Sequence, residues 1–373
     1  SYCKFINEFT IYGGILMKAY IASFNFSPGH LSHLIAWYKL FNLSGYNAKL
    51  LLHNDYNYII EDNLEVYYIN AEKNIDASDT GILFIYSPAI KNNKYANIFK
   101  ESGAKIIYLY HEPWHSLREY LKEGVVHAFK ASGAHFFSTK LLKIANVVIV
   151  PSQFALHLYE RKDIKYNNNV FVIPLLFDDE AKEFEINSEK KKYFSYIGTA
   201  CKGHAFDRFI DFILSFDKSE ILKLPFRFQI ATRTDISKYI NKDVDLLIKQ
   251  GILKLKQGKP LVNSEINQAY TESFAVWNLY NRSTQSGVLP KTFMFGACPI
   301  ASNIGSFPEF INNGENGFLI DEYDFENLKK IVYKSFEEKD KMIVNCRNSF
   351  FNYFYFANYK MELKQIIEKI RSI

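Results

Sequence analysis

One group of potentially reactive side chains follows a continuous apolar run at residues 105–110 and contains His111, Glu112 and His115. Polar residues directly after a buried parallel strand lie where open α/β sheets bind their ligands. Histidine and glutamate at such a position can transfer protons or stabilise developing charge. We therefore expect His111 and Glu112 to be catalytic. The structural alternative is a turn that caps the next helix, with Glu112 in its first turn.

A second group has residue types that bind phosphate. Lys202 lies in a glycine-bounded turn between a predicted strand at 193–197 and a predicted helix at 206–216, and Thr199 is in the same turn. A lysine at the start of a helix is a natural phosphate ligand, although an ordinary surface lysine is the alternative. Arg233 follows the predicted strand 226–231, again at a carboxyl end.

The turn after the first predicted strand, at residues 18–24, contains Gly29 and His30. Gly29 allows the backbone to approach a ligand closely. His33 falls on the following predicted helix, where a solvated or packed side chain is the simpler interpretation. The turn lacks the G-x-G-x-x-G pattern, so the sequence does not predict a dinucleotide site.

Residues 282–320 predict a loop, helix, strand, glycine turn, short helix, glycine turn and strand. Pro290 suits the first turn of the helix, and Gly296 suits a left-handed position at its end. Two helix N-termini after strand ends would direct free N–H groups at an anion. An ordinary αβ unit without a ligand has the same spacing.

This segment also resembles the donor-binding region of glycosyltransferase family four, a retaining family with the two-domain GT-B fold. The match consists of Gly296, residues 299–302, Gly305, Pro308, Glu309, Ile311, Gly314, Asn316, Gly317 and Leu319. The family has two spaced glutamates that contact the donor sugar and its ribose. Alignment on Gly296 places Ser283 and Lys291 there, whereas alignment on Leu289 and Pro290 places Gln285 and Phe293 there. Neither alignment restores the carboxylate pair.

The resemblance implies a role for each matching position. It predicts catalytic residues at His111 and Glu112, acceptor-binding residues at His30 and His115, and a donor site formed by Gly29, Thr199, Lys202, Arg233, Arg282, Ser283, Gln285, Lys291 and Glu309. Thr199 stands where the family has a phosphate-binding arginine, while Lys202 and Gly203 are retained. Glu309 is the one carboxylate in its family position. It either caps a helix or organises the donor site.

Composition limits the partners of the chain. Its 373 residues are 48% hydrophobic and 23% charged, which is typical of globular proteins and sufficient for two domains. The net charge of +5 mildly favours anionic partners such as sugar nucleotides, but no nucleic-acid-binding motif is present. The four cysteines fit neither a disulfide framework nor a zinc site. We expect a cytoplasmic protein that needs no metal and no cofactor other than its nucleotide-sugar substrate.

Membrane contact is an open question at this stage. No apolar run has the length and purity of a membrane-spanning helix. The aromatic stretch at residues 350–359 suits a membrane interface, although burial against a sheet is the favoured interpretation. Peripheral contact with the inner face of a membrane therefore remains one prediction.

The alternating strand and helix pattern predicts an α/β protein with the GT-B fold, in which two Rossmann-like domains face a cleft. We expect an extension at 1–16, an acceptor domain at 17–177, a linker at 178–192, a donor domain at 193–345 and returning helices at 346–373. The function hypothesis is sugar transfer from a nucleotide sugar to a glycan or polyprenyl-linked acceptor in bacterial surface polysaccharide synthesis. One alternative is a non-catalytic subunit that binds glycans for a partner transferase, which the missing glutamates favour. A weaker one is a sugar-nucleotide epimerase.

Overall fold

The computed structural model of the chain describes residues 17–60, 64, 66–69, 80–162, 166, 169–258 and 261–373. The predicted extension at 1–16 lies outside these residues.

The first half of the chain forms a parallel sheet, which has seven strands in the described residues and the order β3-β2-β1-β4-β5-β6-β7. Its strands are β1 (Lys18–Ser23), β2 (Asn47–His53), β3 (Val66–Ile69), β4 (Thr80–Tyr86), β5 (Lys105–Leu109), β6 (Val147–Val150) and β7 (Asn169–Val172). Its helices are α1 (Leu31–Leu43), α2 (Ile90–Glu101), α3 (Leu117–Glu123), α4 (Val125–Ile144) and α5 (Gln153–Lys162). We call this unit the first domain.

The second half repeats this order with six described strands, as β10-β9-β8-β11-β12-β13, and we call it the second domain. Its strands are β8 (Tyr193–Ile197), β9 (Arg227–Thr232), β10 (Leu253–Gln257), β11 (Ser273–Asn278), β12 (Cys298–Ser302) and β13 (Phe318–Ile320). Its helices are α6 (Phe206–Leu214), α7 (Lys218–Lys223), α8 (Lys242–Lys249), α9 (Asn263–Thr271), α10 (Val288–Met294), α11 (Phe307–Phe310) and α12 (Phe325–Glu337).

Both sheets have the Rossmann order. The first three strands are added toward one edge of the sheet and the later strands toward the other edge, so the order reverses between the first and the fourth strand. The prediction of two Rossmann-like α/β domains is therefore confirmed. The central strands are apolar along their whole length because helices cover both faces of each sheet. In β6, for example, all four residues are buried. The two reversal points, between β1 and β4 and between β8 and β11, are where such sheets bind ligands.

The last two helices, α13 (Lys339–Tyr353) and α14 (Lys360–Arg371), follow the second domain. The N–H of Phe177 in the first half donates to the carbonyl of Phe354 at 2.9 Å, and α14 packs on α1. In the aromatic stretch, Phe350 and Phe354 are fully buried and Phe356 is largely buried, which is the interpretation that the sequence favoured. None of the helices in the described residues is long and apolar enough to cross a membrane.

The structure differs from the sequence-based expectation between residues 117 and 135. The sequence predicted a helix only from residue 136, but α3 and α4 occupy most of this region. Ser116 caps α3 by accepting a hydrogen bond from the N–H of Glu119, and Gly124 separates the two helices with a φ of 124°. The amphipathic pattern is hidden because several apolar side chains here point to solvent, including Val125 and Phe129.

Candidate active site

A cavity of about 540 Å³ lies between the carboxyl edges of the two sheets. This size falls within the range of roughly 300–1,000 Å³ that is typical of ligand sites. Residues of both domains line it, mostly in segments that directly follow the strands next to the two reversal points: 27–30, 32, 33, 86, 111, 112, 123, 127 and 177 from the first half, and 197–199, 201, 203, 204, 231–233, 263, 266, 270, 280, 282–288 and 291 from the second.

On the first-domain side, the cavity wall is a cluster of aromatic rings. The ring centres of His30 and Tyr86 are 4.3 Å apart, and those of His30 and His111 are 6.4 Å apart. Burial, followed by the proximity of His111, lowers the pKa of His30 well below its usual value. Burial also lowers the pKa of His33 to about 3. Both imidazoles are therefore neutral near pH 7 and act as hydrogen-bonding groups rather than cations.

The loop after β11 crosses from the second domain to the first, and three successive carbonyl groups hold it. The carbonyl of Ser283 accepts from the N–H of Ser306 at 3.1 Å, and that of Thr284 accepts from the Ser152 hydroxyl at 2.7 Å. The carbonyl of Gln285 lies 3.0 Å from Nε2 of His111. Because a carbonyl oxygen only accepts, Nε2 of His111 carries a hydrogen in this contact.

A close backbone contact between Gly305 and Ser283 also holds this loop. Gly305 has a φ of 59°, and a Cβ added there would lie only 1.9 Å from the carbonyl oxygen of Ser283. The side-chain carbonyl of Gln285 also accepts the N–H of Leu175 in the first half, at 2.5 Å. The loop is thus rigidly placed against both domains.

Glu112 and Arg282 supply opposite charges to the cavity. Desolvation would raise the pKa of the Glu112 carboxyl, but the nearby His111 and Arg282 outweigh it and hold the pKa below its usual range. Glu112 is therefore ionised near pH 7. The Arg282 guanidinium is held by Glu123, with Nε 2.5 Å from Oε1, and by Nε2 of His127 at 3.1 Å.

His204 is a titratable side chain of the second-domain wall. Its ring stacks on Tyr280 with 4.2 Å between ring centres, and its Nδ1 lies 3.1 Å from the carbonyl of Thr199. Burial alone would lower the pKa of His204, but its interaction with Cys201 outweighs this effect and raises the pKa. The same interaction lowers the pKa of the Cys201 thiol against the opposite effect of burial.

Two predicted donor residues line the cavity but already have strong partners. Lys291 donates to the Glu180 carboxylate at 2.8 Å and to the side-chain oxygen of Asn267 at 3.0 Å. The Nε of Arg233 donates to the carbonyl of Leu261 at 2.8 Å. Burial would raise the pKa of Glu180, but Lys291 outweighs that effect and the net pKa is lowered. Lys291 and Glu180 thus form a largely buried ion pair.

The structure does not bring three of the predicted site residues to the cavity wall. The Lys202 side chain is exposed outside it, because the short turn Lys202–His204 presents Gly203 and His204 to the cavity instead. His115 packs near the ring of Phe154, outside the lining. Glu309 caps a helix, but that helix is α5 of the other domain: its carboxylate accepts the N–H groups of Gln153 and Phe154 at 2.8 Å each.

Several buried polar atoms on this wall have no hydrogen-bond partner in the part of the chain that the structure describes. They are Nδ1 of His30, the Tyr86 hydroxyl, the Ser283 hydroxyl and the side-chain nitrogen of Gln285. Unpaired buried polar groups are uncommon and costly, so these four atoms are available to hydrogen-bond a polar ligand in the cavity. A cluster of three or more metal-ligating side chains was not found among the described residues.

No protein-family model matches the sequence, and no curated protein sequence matches it. Solved structures do match its fold. Sucrose-phosphate synthase from Thermosynechococcus elongatus superposes with a TM-score of 0.69 at 11% identity, over 95% of this chain and 99% of that one. HepE from Anabaena, solved with UDP, gives a TM-score of 0.64 at 14% identity, over 96% and 100%. The chain has the GT-B fold.

A third GT-B structure is the catalytic domain of starch synthase IV from Arabidopsis thaliana, bound to ADP and acarbose. It matches with a TM-score of 0.65 at 11% identity, over 95% of this chain and 99% of that one. The predicted GT-B arrangement is therefore confirmed. The identities support a shared fold, while membership of family four remains a prediction.

Sequence reasoning missed several residues of the GT-B cleft. Tyr86 ends β4, and Tyr280 follows β11 by two positions, so each lies at the carboxyl end of a strand beside a reversal point. That position was the available signal. His204 was not predicted, because Lys202 in the same turn is the residue that matches the family. Glu180 gave no signal, because an acid within a charged linker resembles ordinary surface.

Proposed function

We propose that this chain is a glycosyltransferase that moves a sugar from a UDP-linked donor to a glycan or lipid-linked acceptor, with retention of the anomeric configuration, in the synthesis of a bacterial surface polysaccharide. The GT-B fold supports the reaction class. HepE, which has this fold, was solved with UDP and with UDP-glucose, and this supports the choice of nucleotide. Retention and the acceptor class rest on the resemblance to family four.

The observation that carries the proposal is the set of unpaired polar atoms in the cleft. Hydroxyl, amide and imidazole groups suit the many hydroxyl groups of a sugar, each of which donates and accepts. These atoms come from both domains, namely His30 and Tyr86 on one side and Ser283 and Gln285 on the other. A ligand that pairs them must therefore contact both sides of the cleft. A donor sugar that is transferred to an acceptor on the opposite domain would do so.

The charges of the cleft suit the chemistry of glycosyl transfer. The departing UDP gains negative charge in the transition state, and fixed cations lower the energy of that charge. We assign this role to Arg282, which Glu123 orients through an ion pair, to Arg233, and to the protonated form of His204, whose pKa is raised. Lys291 is also ion-paired, with Glu180, and its side chain is only 10% exposed, so we expect it to contribute less. We infer that these cations replace a metal ion in this role.

On the first-domain side, we assign His111 and Glu112 to the reacting sugar. The ionised Glu112 carboxylate can stabilise the positive charge that develops on the sugar ring. His111 is fixed through Nε2 by the crossing loop, so its Nδ1 remains available for a hydrogen bond with the ligand. His111 is thereby a positioning residue for the loop as well as a potential ligand contact.

The first test is calorimetric titration of the purified chain with UDP-, ADP-, GDP-, CDP- and dTDP-sugars. Binding of a UDP-sugar in preference to the others is expected, and binding of none would refute the donor site. His111→Ala should reduce turnover at least tenfold, which corresponds to about 1.4 kcal/mol. His157→Ala, at an exposed histidine of α5 outside the cleft, is the matched control. Chelation by EDTA should leave turnover unchanged.

A second candidate function has one specific observation in its favour. In the alignment on Gly296, Lys291 takes the position of a family-four glutamate, and its side chain forms an ion pair with Glu180. A GT-B subunit that binds a glycan without transferring a sugar would tolerate this change. Donor binding without turnover by the chain alone, restored only by a partner transferase, would favour this function. Turnover by the chain alone would exclude it.

A further inference from the structure

The helices α3 and α4 carry a group of large apolar side chains that point into solvent. We call the six residues Leu117, Leu121, Val125, Val126, Phe129 and Phe136 the hairpin patch. Phe129 is 82% exposed, Val125 75% and Val126 70%. Single exposed apolar side chains are common on folded proteins, but a contiguous apolar patch generally marks an interaction site.

The patch occupies one side of α4. With 3.6 residues per turn, Val125, Val126, Phe129 and Phe136 fall within about 100° around the helix axis. The buried residues of α4, such as Ser138 and Leu142, lie on the opposite side. The helix thus packs on the protein with one face and exposes apolar side chains on another. The exposed apolar face does not contribute to the packing of the helix in the fold.

The other side of the same hairpin forms part of the cleft. Tyr120 is buried, and Glu123 and His127 line the cavity and hold Arg282. A contact on the outer side of the hairpin would therefore lie next to the mouth of the candidate active site.

Basic side chains accompany the patch. Between residues 117 and 144 there are five Lys and Arg residues but only two Glu residues, a net charge of +3 out of +5 for the whole chain. One of the two acids, Glu123, points into the cleft, and the other, Glu119, is paired with Lys122 at 2.8 Å. Lys140 lies over the ring of Phe136, 4.4 Å from its centre. The charged rim of the patch is thus positive.

We propose that the hairpin patch is a membrane-docking surface that inserts its apolar side chains into the interface of an anionic lipid bilayer. Exposed aromatic and aliphatic side chains with flanking lysines are the composition that binds at such interfaces. Anionic headgroups complement the positive rim. A symmetric contact between two copies of the chain would instead place one basic rim against another, which electrostatic repulsion opposes.

The position of the patch gives docking a purpose, and this point rests on the proposed function. A membrane-bound hairpin would hold the cleft close to the headgroups, where a lipid-linked acceptor presents its sugar. Docking itself requires only the patch, so it can be tested without any transfer reaction.

The experiment measures cosedimentation of the full chain with vesicles of phosphatidylcholine alone and of phosphatidylcholine and phosphatidylglycerol in equal parts. The variant replaces Val125, Val126 and Phe129 with serine. The matched control replaces Ile90, Val344 and Met361 with serine, which are exposed apolar residues elsewhere on the chain. The wild type and the control should bind the anionic vesicles, and the patch variant should bind at least tenfold more weakly.

Raising the salt concentration should weaken binding of the wild type, because the electrostatic part is screened. All three proteins should melt at the same temperature and bind UDP-sugar equally, since the changed residues are exposed and outside the cleft.

Absence of vesicle binding by the wild type, or equal loss in the control, overturns the proposal. Sedimentation velocity identifies the competing outcome: a dimer that the patch variant dissociates would show that the patch contacts a second copy instead. UDP-sugar binding without vesicle binding would refute docking alone, and the reverse would refute only the proposed function.

Discussion

Replacement of Lys291 by methionine tests its ion pair with Glu180. Lys291 is 10% exposed and Glu180 21%, and their charged atoms are 2.8 Å apart. Removal of the ammonium leaves a largely buried carboxylate without its cation. Breaking a buried pair from one side typically costs about 3–5 kcal/mol.

The structure reduces this figure for Glu180. Asn267 still donates to its carboxylate at 2.7 Å, and its partial exposure admits water. We therefore expect Lys291→Met to lower the free energy of unfolding by about 2–3 kcal/mol, which is at or below the lower limit of that range. Glu180→Gln removes the second charge but keeps the shape. The double variant should lose about 1–2 kcal/mol less than the sum of the two single variants, as directly interacting residues do.

Urea denaturation of the four proteins at pH 7 measures this coupling, and acid gives an independent check. The pKa of Glu180 is depressed in the folded protein, so its contribution is present above the unfolded pKa and is lost as the pH falls through the folded value. The gap between the wild type and Lys291→Met should accordingly shrink at acid pH. Additive losses, or a loss below about 0.5 kcal/mol for Lys291→Met, would refute the ion pair. If Lys291 instead binds donor phosphate, as the sequence suggested, the variant should lose donor affinity and keep its stability.

Three further predictions follow from other contacts. Glu309→Gln, which weakens the cap on α5, should lower the free energy of unfolding by about 1–2 kcal/mol in thermal melts, whereas Glu315→Gln at an exposed position should not. Burial lowers the pKa of Lys191 from 10.5 to about 7. Between these pH values the unfolded chain holds a proton on Lys191 that the folded chain has lost, so the wild type should gain stability with rising pH relative to Lys191→Met. The gain is at most about 1.4 kcal/mol per pH unit. Urea denaturation measures it, and an equal dependence of the unfolding free energy on pH in both proteins would contradict the prediction. Iodoacetamide should alkylate Cys201, whose pKa is lowered, faster at pH 7 than the buried Cys298, whose pKa burial raises to about 12. Peptide mass spectrometry measures both rates, and equal rates would contradict the different environments of the two thiols.

The sequence could predict the fold because the fold follows from local patterns. Apolar runs bounded by turns alternate with helical periodicity, and this alternation alone favours two parallel sheets. The segment from 282 to 320 shows the agreement in detail: its elements occur in the predicted order, and Gly296 has the expected left-handed conformation, with a φ of 63°. The start of α4 was missed because its apolar face is not buried.

The site was less predictable because it depends on contacts between distant segments. Lys202 and Gly203 matched the family, but the direction in which that turn faces depends on how it packs. Lys291 meets Glu180 across 111 positions of sequence, and no periodicity encodes such a meeting. Glu309 was predicted either to cap its own helix or to organise the donor site, whereas in the structure its carboxylate caps α5 of the first domain.

The crossing loop is held through the carbonyl oxygens of residues 283, 284 and 285, and a carbonyl oxygen is the same in every amino acid. Mutation of these three side chains therefore leaves the three carbonyl anchors in place and removes only the side-chain contacts, such as the hydrogen bond from the N–H of Leu175 to Gln285. An ancestor that carried a glutamate here would keep the shape of its cleft when that glutamate was lost. Donor specificity could then change by one side-chain substitution at a time, while the backbone of the loop keeps its conformation.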